Sequence, residues 1–172
     1  MPYYVEIETE TYGALTAQCG TKDVADRLSN TNSDVAGQDF AYVYAYDFDI
    51  EQPHNEHGAG TVSSAPALHT VTLTLPDYEP ILAGALNVLS GQDRIKSLTF
   101  NGCSVEKGSN KLLFQYAMQD GMIVGYEHVV DDQRSGEAQK QRGHINMILK
   151  FQKVTVTNKV TNTQGALNTT QS

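Results

Sequence analysis

The sequence predicts a mainly β domain: a small antiparallel β-barrel or two-sheet sandwich with one α-helix packed on its side. Three observations carry that expectation. Apolar and polar residues alternate with period two through most of the chain, one segment near residues 78–90 changes to the helical period, and Gly, Asn, Ser and Asp punctuate the connections. The 172 residues, 40% of them hydrophobic, suit one domain with its own core.

Taken in order, Tyr3, Val5, Ile7 and Thr9 alternate with Tyr4, Glu6, Glu8 and Glu10, an opening strand with one wet face. A turn at Gly13 leads to a partner strand over residues 14–19, and the polar stretch 20–39 reads as a surface loop. Tyr42, Tyr44, Tyr46, Phe48 and Ile50 then share one side of a long strand. Such a stripe serves as the core face of a sheet or as a stacking platform for a ligand. Pro53, Gly58 and Gly60 interrupt the pattern, so residues 52–60 form a loop or hairpin tip, and alternation resumes with Val71, Leu73 and Leu75 inward. Asp77 is placed to cap a helix over 78–90, with Pro80 in its first turn. Leu82, Ala85, Leu86 and Leu89 are its expected core stripe and Gly91 its left-handed exit. Strands over 95–103 and 111–117 make a hairpin around 106–110, and Asp120-Gly121 turns into a strand over 122–130. A charged connection, 131–142, precedes a strand over 144–156 with Ile145, Met147, Leu149 and Phe151 on one side. There the apolar parity passes to Val154 and Val156, which predicts a bulge. The domain is expected to span residues 1–160, leaving 161–172 as a mobile polar tail.

Charge narrows the partners. The chain carries −8 overall; eleven of its twenty acids but only two of its twelve bases fall within residues 1–60, a net −9 against +1 for the rest. An acidic surface repels phosphates, so nucleic acid is not an expected partner, and no apolar run is long enough to insert in a membrane. The segment Met1–Glu6 has no basic, signal-like character, so the chain is expected to start in the cytoplasm. Unlike charge on two parts of one molecule suits head-to-tail contact between copies, and Arg134, Lys140 and Arg142 form a candidate charged contact loop.

Catalytic chemistry finds little support. Cys19 and Cys103 are too far apart in sequence for a zinc spacing and read as buried thiols. Glu51, His54, Glu56 and His57 are the best metal candidates, but Pro53 and Gly58 exclude the helix on which His-rich metal motifs depend, so the expectation is a solvated loop. Gly58-Ala59-Gly60 lacks the Gly-Lys-Ser/Thr of a phosphate loop, and no Gly-x-Ser-x-Gly occurs. No enzyme activity, cofactor or metal is predicted.

Five stretches, in order, carry a resemblance. They are Tyr4-Val5-Glu6-Ile7-Glu8 up to Gly13; the strand 42–50 running into a Gly-containing loop at 57–61; the strand 68–75 with a helix closing on Ser90-Gly91; the pair 98–105 and 111–119 followed by Met122-Ile123-Val124-Gly125-Tyr126; and the closing strand 145–154. Together they resemble the Hcp family, the tube proteins of bacterial type VI secretion systems. The resemblance implies a helix-decorated β-barrel that closes into hexameric rings. It implies stacking of rings into a hollow tube, ejection by a contractile sheath behind a spike protein, and release outside the cell, with effector proteins carried in the lumen. It places His54, Asn55, Glu56, His57, Gly58 and Gly60 in the family's inter-ring loop. A long polar segment at 23–39, the absence of Trp and the Thr/Asn-rich end depart from the family pattern. Two alternatives stay open: the tail-tube protein of a phage or other contractile particle, and a monomeric β-sandwich that binds a small ligand through Tyr42, Tyr44 and Tyr46.

Overall fold

Where side chains alternate, strands form. The computed structural model describes residues 1–19, 39–51, 67–140 and 142–168. Within these the order is β1 (Tyr3–Thr9), β2 (Ala41–Tyr42), β3 (Ala45–Glu51), β4 (Ala67–Pro76), α1 (Glu79–Ser90), β5 (Ile95–Glu106), β6 (Ser109–Val129), β7 (His144–Asn158) and β8 (Thr163–Asn168). All pairings are antiparallel, in the order β2-β1-β5-β6-β7-β4-β3, with β8 added to β7. The mainly β, helix-decorated architecture is the one the sequence predicts.

The long Tyr-rich strand is broken at Val43–Tyr44. Its first piece, β2, pairs with β1, and its second, β3, pairs with β4 at the other end of the order. At the break, the Val43 N–H donates to the Tyr3 carbonyl (3.0 Å) and the Tyr44 N–H to the Thr74 carbonyl (2.9 Å). The chain itself therefore crosses from one sheet end to the other. The sheet curls round its core without a closed ladder of strand pairs.

That core joins Val5 and Ile7 of β1, Val71, Leu73 and Leu75 of β4, Leu98 of β5, Ile123 of β6 and Ile145, Met147 and Leu149 of β7 to Ile81 and Val88 of α1. Burial of this kind contributes about 1.5–3 kcal/mol per large side chain. The helical face is a correction. Ile81, Ala85 and Val88 are buried, whereas Leu86 and Leu89, expected in the core, are exposed. Seven apolar residues line α1, so two stripes fit the 3.6-residue period, and the sheet selects the one bearing the β-branched residues.

Both helix ends also differ from expectation. Tyr78, not Asp77, is the N-cap, and it makes no side-chain cap bond. Gly91 is right-handed (φ −83°); Gln92 (φ 50°) takes the left-handed position, with the Gln92 N–H donating to the Leu89 carbonyl and the Asp93 N–H to the Val88 carbonyl. These paired bonds close the C-terminus as a Schellman motif.

Four further elements depart from the sequence reading. Residues 14–19 are no strand. Ala14 bridges Glu8, and the Thr16 hydroxyl then accepts the Ile7 N–H (3.2 Å) and donates to the Asp39 carbonyl (2.8 Å), replacing a ladder with a turn. Asp120-Gly121 is no turn: β6 runs through it with Asp120 left-handed at φ 56° and Gly121 under the Phe151 ring, where a Cβ would collide. The apolar parity does switch, from Phe151 to Val154 on β7 and from Gly121 to Met118 on β6. However, the extra bulge residue lies between Ile123 and Gly125, not on β7. Finally, part of the expected mobile tail is β8, whose backbone pairs with Lys153–Asn158 while its side chains stay mostly exposed. Hydrogen bonding, which composition does not report, orders it.

Candidate interaction surfaces

The charged connection between β6 and β7 folds back on the start of α1. The Arg142 Nε donates to Asp77 Oδ1 (3.0 Å), its terminal nitrogen lies 3.3 Å from Glu79 Oε2, and its guanidinium sits 5.2 Å from the centre of the Tyr78 ring. His128 Nε2 lies 3.2 Å from Asp77 Oδ2. Asp77 is thus spent on His128 of β6 and on Arg142 of the β6–β7 connection instead of on helix N–H groups. The Asp77 N–H donates to the Gly143 carbonyl (3.1 Å) and completes the tether. Arg142 lies 65 residues from Asp77, so no local signal in the sequence announces this contact.

The candidate contact loop therefore divides. Arg134 is exposed and holds the Asp132 carboxylate through two nitrogens. That pair lowers the Asp132 pKa and raises that of Arg134. Arg142 is committed to α1, and Lys140 stands exposed at the end of a short 3-10 turn, Ala138–Lys140. Of the three bases, only Lys140 has no ion pair among the described residues.

The aromatic stripe is divided in the same way. Tyr42 packs edge-on against Tyr4 and Tyr44. Tyr46 stacks on Phe100 with centroids 3.9 Å apart, and Phe48 packs on Tyr116 at 5.2 Å. A cavity of about 470 Å³ lies beside these rings, lined by Tyr3, Tyr44, Tyr46, Phe100, Phe114 and Tyr116 among others. The Tyr46 hydroxyl is buried with no partner among the described residues. Burial first, then Tyr116 and Asp47, push its pKa well above the ordinary value, so it remains a neutral phenol. The stripe is mostly a wall of packed rings, and Tyr42, Tyr44 and Tyr46 do not make one platform.

His54, Asn55, Glu56, His57, Gly58 and Gly60 lie outside the described residues, as do most of the metal candidates. Among the described residues no cluster of His, Cys, Asp and Glu is arranged to hold a metal ion, and no helix is long and apolar enough to cross a membrane. Cys19 and Cys103 are buried and not disulfide-bonded.

A curled antiparallel sheet with one helix tethered across it is the class of scaffold these elements define. Its fold is that of Hcp proteins. The chain superimposes on a crystal structure of an Hcp protein with TM-score 0.80 and 14% identity over 99% of both chains. It matches the secreted protein Hcp3 from Pseudomonas aeruginosa with TM-score 0.70 and 17% identity over 97% of each. A type six secretion system protein matches with TM-score 0.60 and 11% identity, over 95% of this chain and 99% of that one. No family model and no curated relative matches the sequence.

Proposed function

We propose that the chain is a structural tube subunit of a bacterial type VI secretion system. The observation that carries this reading is the end-to-end match to an Hcp protein, which leaves almost no part of either chain unpaired. In this reading copies close into hexameric rings, and rings stack into a hollow tube. The tube meets a spike protein and a contractile sheath, and it leaves the bacterial cytoplasm through the apparatus with effector proteins in its lumen. The chain acts by shape and assembly and catalyses nothing.

Two physical features support the reading. Strands β4, β5, β6 and β7 are each paired on both sides and make a stiff wall, and the tether at Asp77 fixes the helix on it. Unequal charge along the chain suits contacts between unlike parts of neighbouring copies in a ring or stack. Light scattering coupled to size exclusion tests it. The expected mass is near six times the 18.8 kDa chain, with annular particles in negative stain. A protein that stays at one chain mass at every concentration tried would overturn the assignment.

A further inference from the structure

The N–H and C=O groups along an open strand edge are matched by another strand, so sheets guard such edges with brevity, bulges, charge or proline. Two edges here follow that rule. Strand β2 is two residues long, and the end of β6 that pairs only with β7, residues 122–129, is interrupted by the bulge between Ile123 and Gly125. Strand β8 does not. Among the described residues it pairs with β7 alone, over six residues in one unbroken register. Thr163–Asn168 contains no charged residue and no proline. An edge in this state accepts a further strand through its backbone.

The other end of the sheet is β3, which among the described residues pairs with β4 alone. Its guard is charge. Asp47, Asp49 and Glu51 are exposed, and neither β3 nor β4 carries a Lys or Arg. Like charges oppose pairing of β3 with its counterpart in another copy. The β7–β8 hairpin has the opposite balance: from His144 onward the chain holds Lys150, Lys153 and Lys159 and no acid. The stretch of β6 alongside, Phe114 to Met122, adds one acid, Asp120, 3.0 Å from Lys153. The surroundings of β8 therefore stay basic with Asp120 included, and Lys159 is exposed at the turn into it.

The two edges also agree in facing. Tyr46 and Phe48 pack on the core, so Asp47 and Asp49 point away from it. Leu167 packs on the same core, so Gln164 and Ala166 take the outer face of β8. Within one copy β4 and β7 stand between the two edges in the strand order. We propose that β8 of one copy pairs along β3 of the next, from Ala45 to the register shift after Asp49, and so continues the sheet from copy to copy. The proposal rests on the ring reading above and names the strands that close the ring. Because the contact joins unlike edges, every copy keeps one of each, and its repeat closes or continues.

Charge exchange tests it. Gln164→Glu with Ala166→Glu sets acids on the outer face of β8, against Asp47 and Asp49 of the neighbour. This variant should keep the wild-type circular dichroism and fall from six-chain to single-chain mass in sedimentation equilibrium. Adding Asp47→Lys and Asp49→Lys to the same chain puts opposite charges across the contact again and should return the six-chain mass. Should the doubly substituted β8 misfold, Gln164→Glu alone, with Asp49→Lys as its rescue, serves in its place. A β8 variant that still forms six-chain rings would overturn the pairing and leave the ring reading standing. A single-chain β8 variant that the β3 lysines do not restore would also overturn it, because β8 would then meet some other surface. A wild type at single-chain mass would overturn the ring reading and the pairing together.

Discussion

Ile81 and Leu86 are isomeric side chains five residues apart on one helix, yet one is fully buried and the other 58% exposed. Truncation should separate them. Ile81→Ala removes core volume that its neighbours cannot refill and should cost about 2–5 kcal/mol of unfolding free energy. Leu86→Ala should stay within about 0.5 kcal/mol of its parent, as surface changes do. Both are best measured by urea unfolding at matched protein concentration. Equal losses would mean that α1 packs on its other face. Glu6 offers a test by pH. Partial burial, with the Asp39 carboxylate second, raises its pKa above the ordinary 4.5. The folded form then holds this proton more tightly than the unfolded chain. The stability it contributes is whole below the ordinary pKa and is lost as pH climbs through the raised one. Glu6→Gln should therefore raise the melting temperature at pH 7 and change it less at pH 4, modestly because water still reaches the side chain. A gain that is larger at pH 4 would reverse the sign and exclude this cause.

At the scale of elements, the tether between α1 and the start of β7 is the contact whose loss should spread furthest. Arg142→Ala removes the pairs to Asp77 and Glu79 and the stacking on Tyr78. The cost should be about 1–2 kcal/mol, since the groups are partly exposed, with faster hydrogen exchange in the first turn of α1. Arg134→Ala, which breaks an exposed local pair, should change neither; if it matches Arg142→Ala, the tether is not special. The tether also marks how far the sequence could be read. Strands β1, β4, β5 and β7 are visible in it because one side of each faces the core and period two reports that directly. The helix is visible as a helix, but its buried side is not, since two apolar stripes satisfy the same period. Contacts between distant residues leave no periodic trace: Asp77 with Arg142, the Thr16 hydroxyl in place of a strand, and β8 held by backbone bonds. The candidate surfaces were less legible than the fold for the same reason. Arg134, Lys140 and Arg142 are neighbours in sequence, yet two of them are engaged within the molecule and only Lys140 is left to act outward.

For the tube proposed above, the contacts that hold a ring and those that join one ring to another should separate by experiment. In the tube reading proposed above, segment 54–60 is the inter-ring loop. Replacing it with Asn-Gly should leave the hexamer mass unchanged while abolishing tubes in negative stain; tubes that form as before would remove this segment from the stacking contact. Salt separates the two kinds of contact by another route. A ring closed by strand pairing and apolar burial rests on contacts that salt does not screen. Stacking driven by the −9 portion of one copy against the base-rich remainder of another depends on exposed charge. The Debye length shortens from about 10 Å at 0.1 M to about 3 Å at 1 M salt, so such attraction should largely vanish across that range. The hexamer should accordingly persist in 1 M NaCl while tube length falls. A charge reversal aimed at the same contact has to spare the internal pairs: changing Arg134 or Arg142 would break bonds to Asp132, Asp77 and Glu79 and confound the result. Lys140→Glu alters exposed charge alone and should shorten tubes at low salt, with no further effect at high salt. Tubes indifferent both to salt and to Lys140→Glu would show that the uneven charge serves solubility only, and that stacking, like the ring, is held by shape and apolar contact.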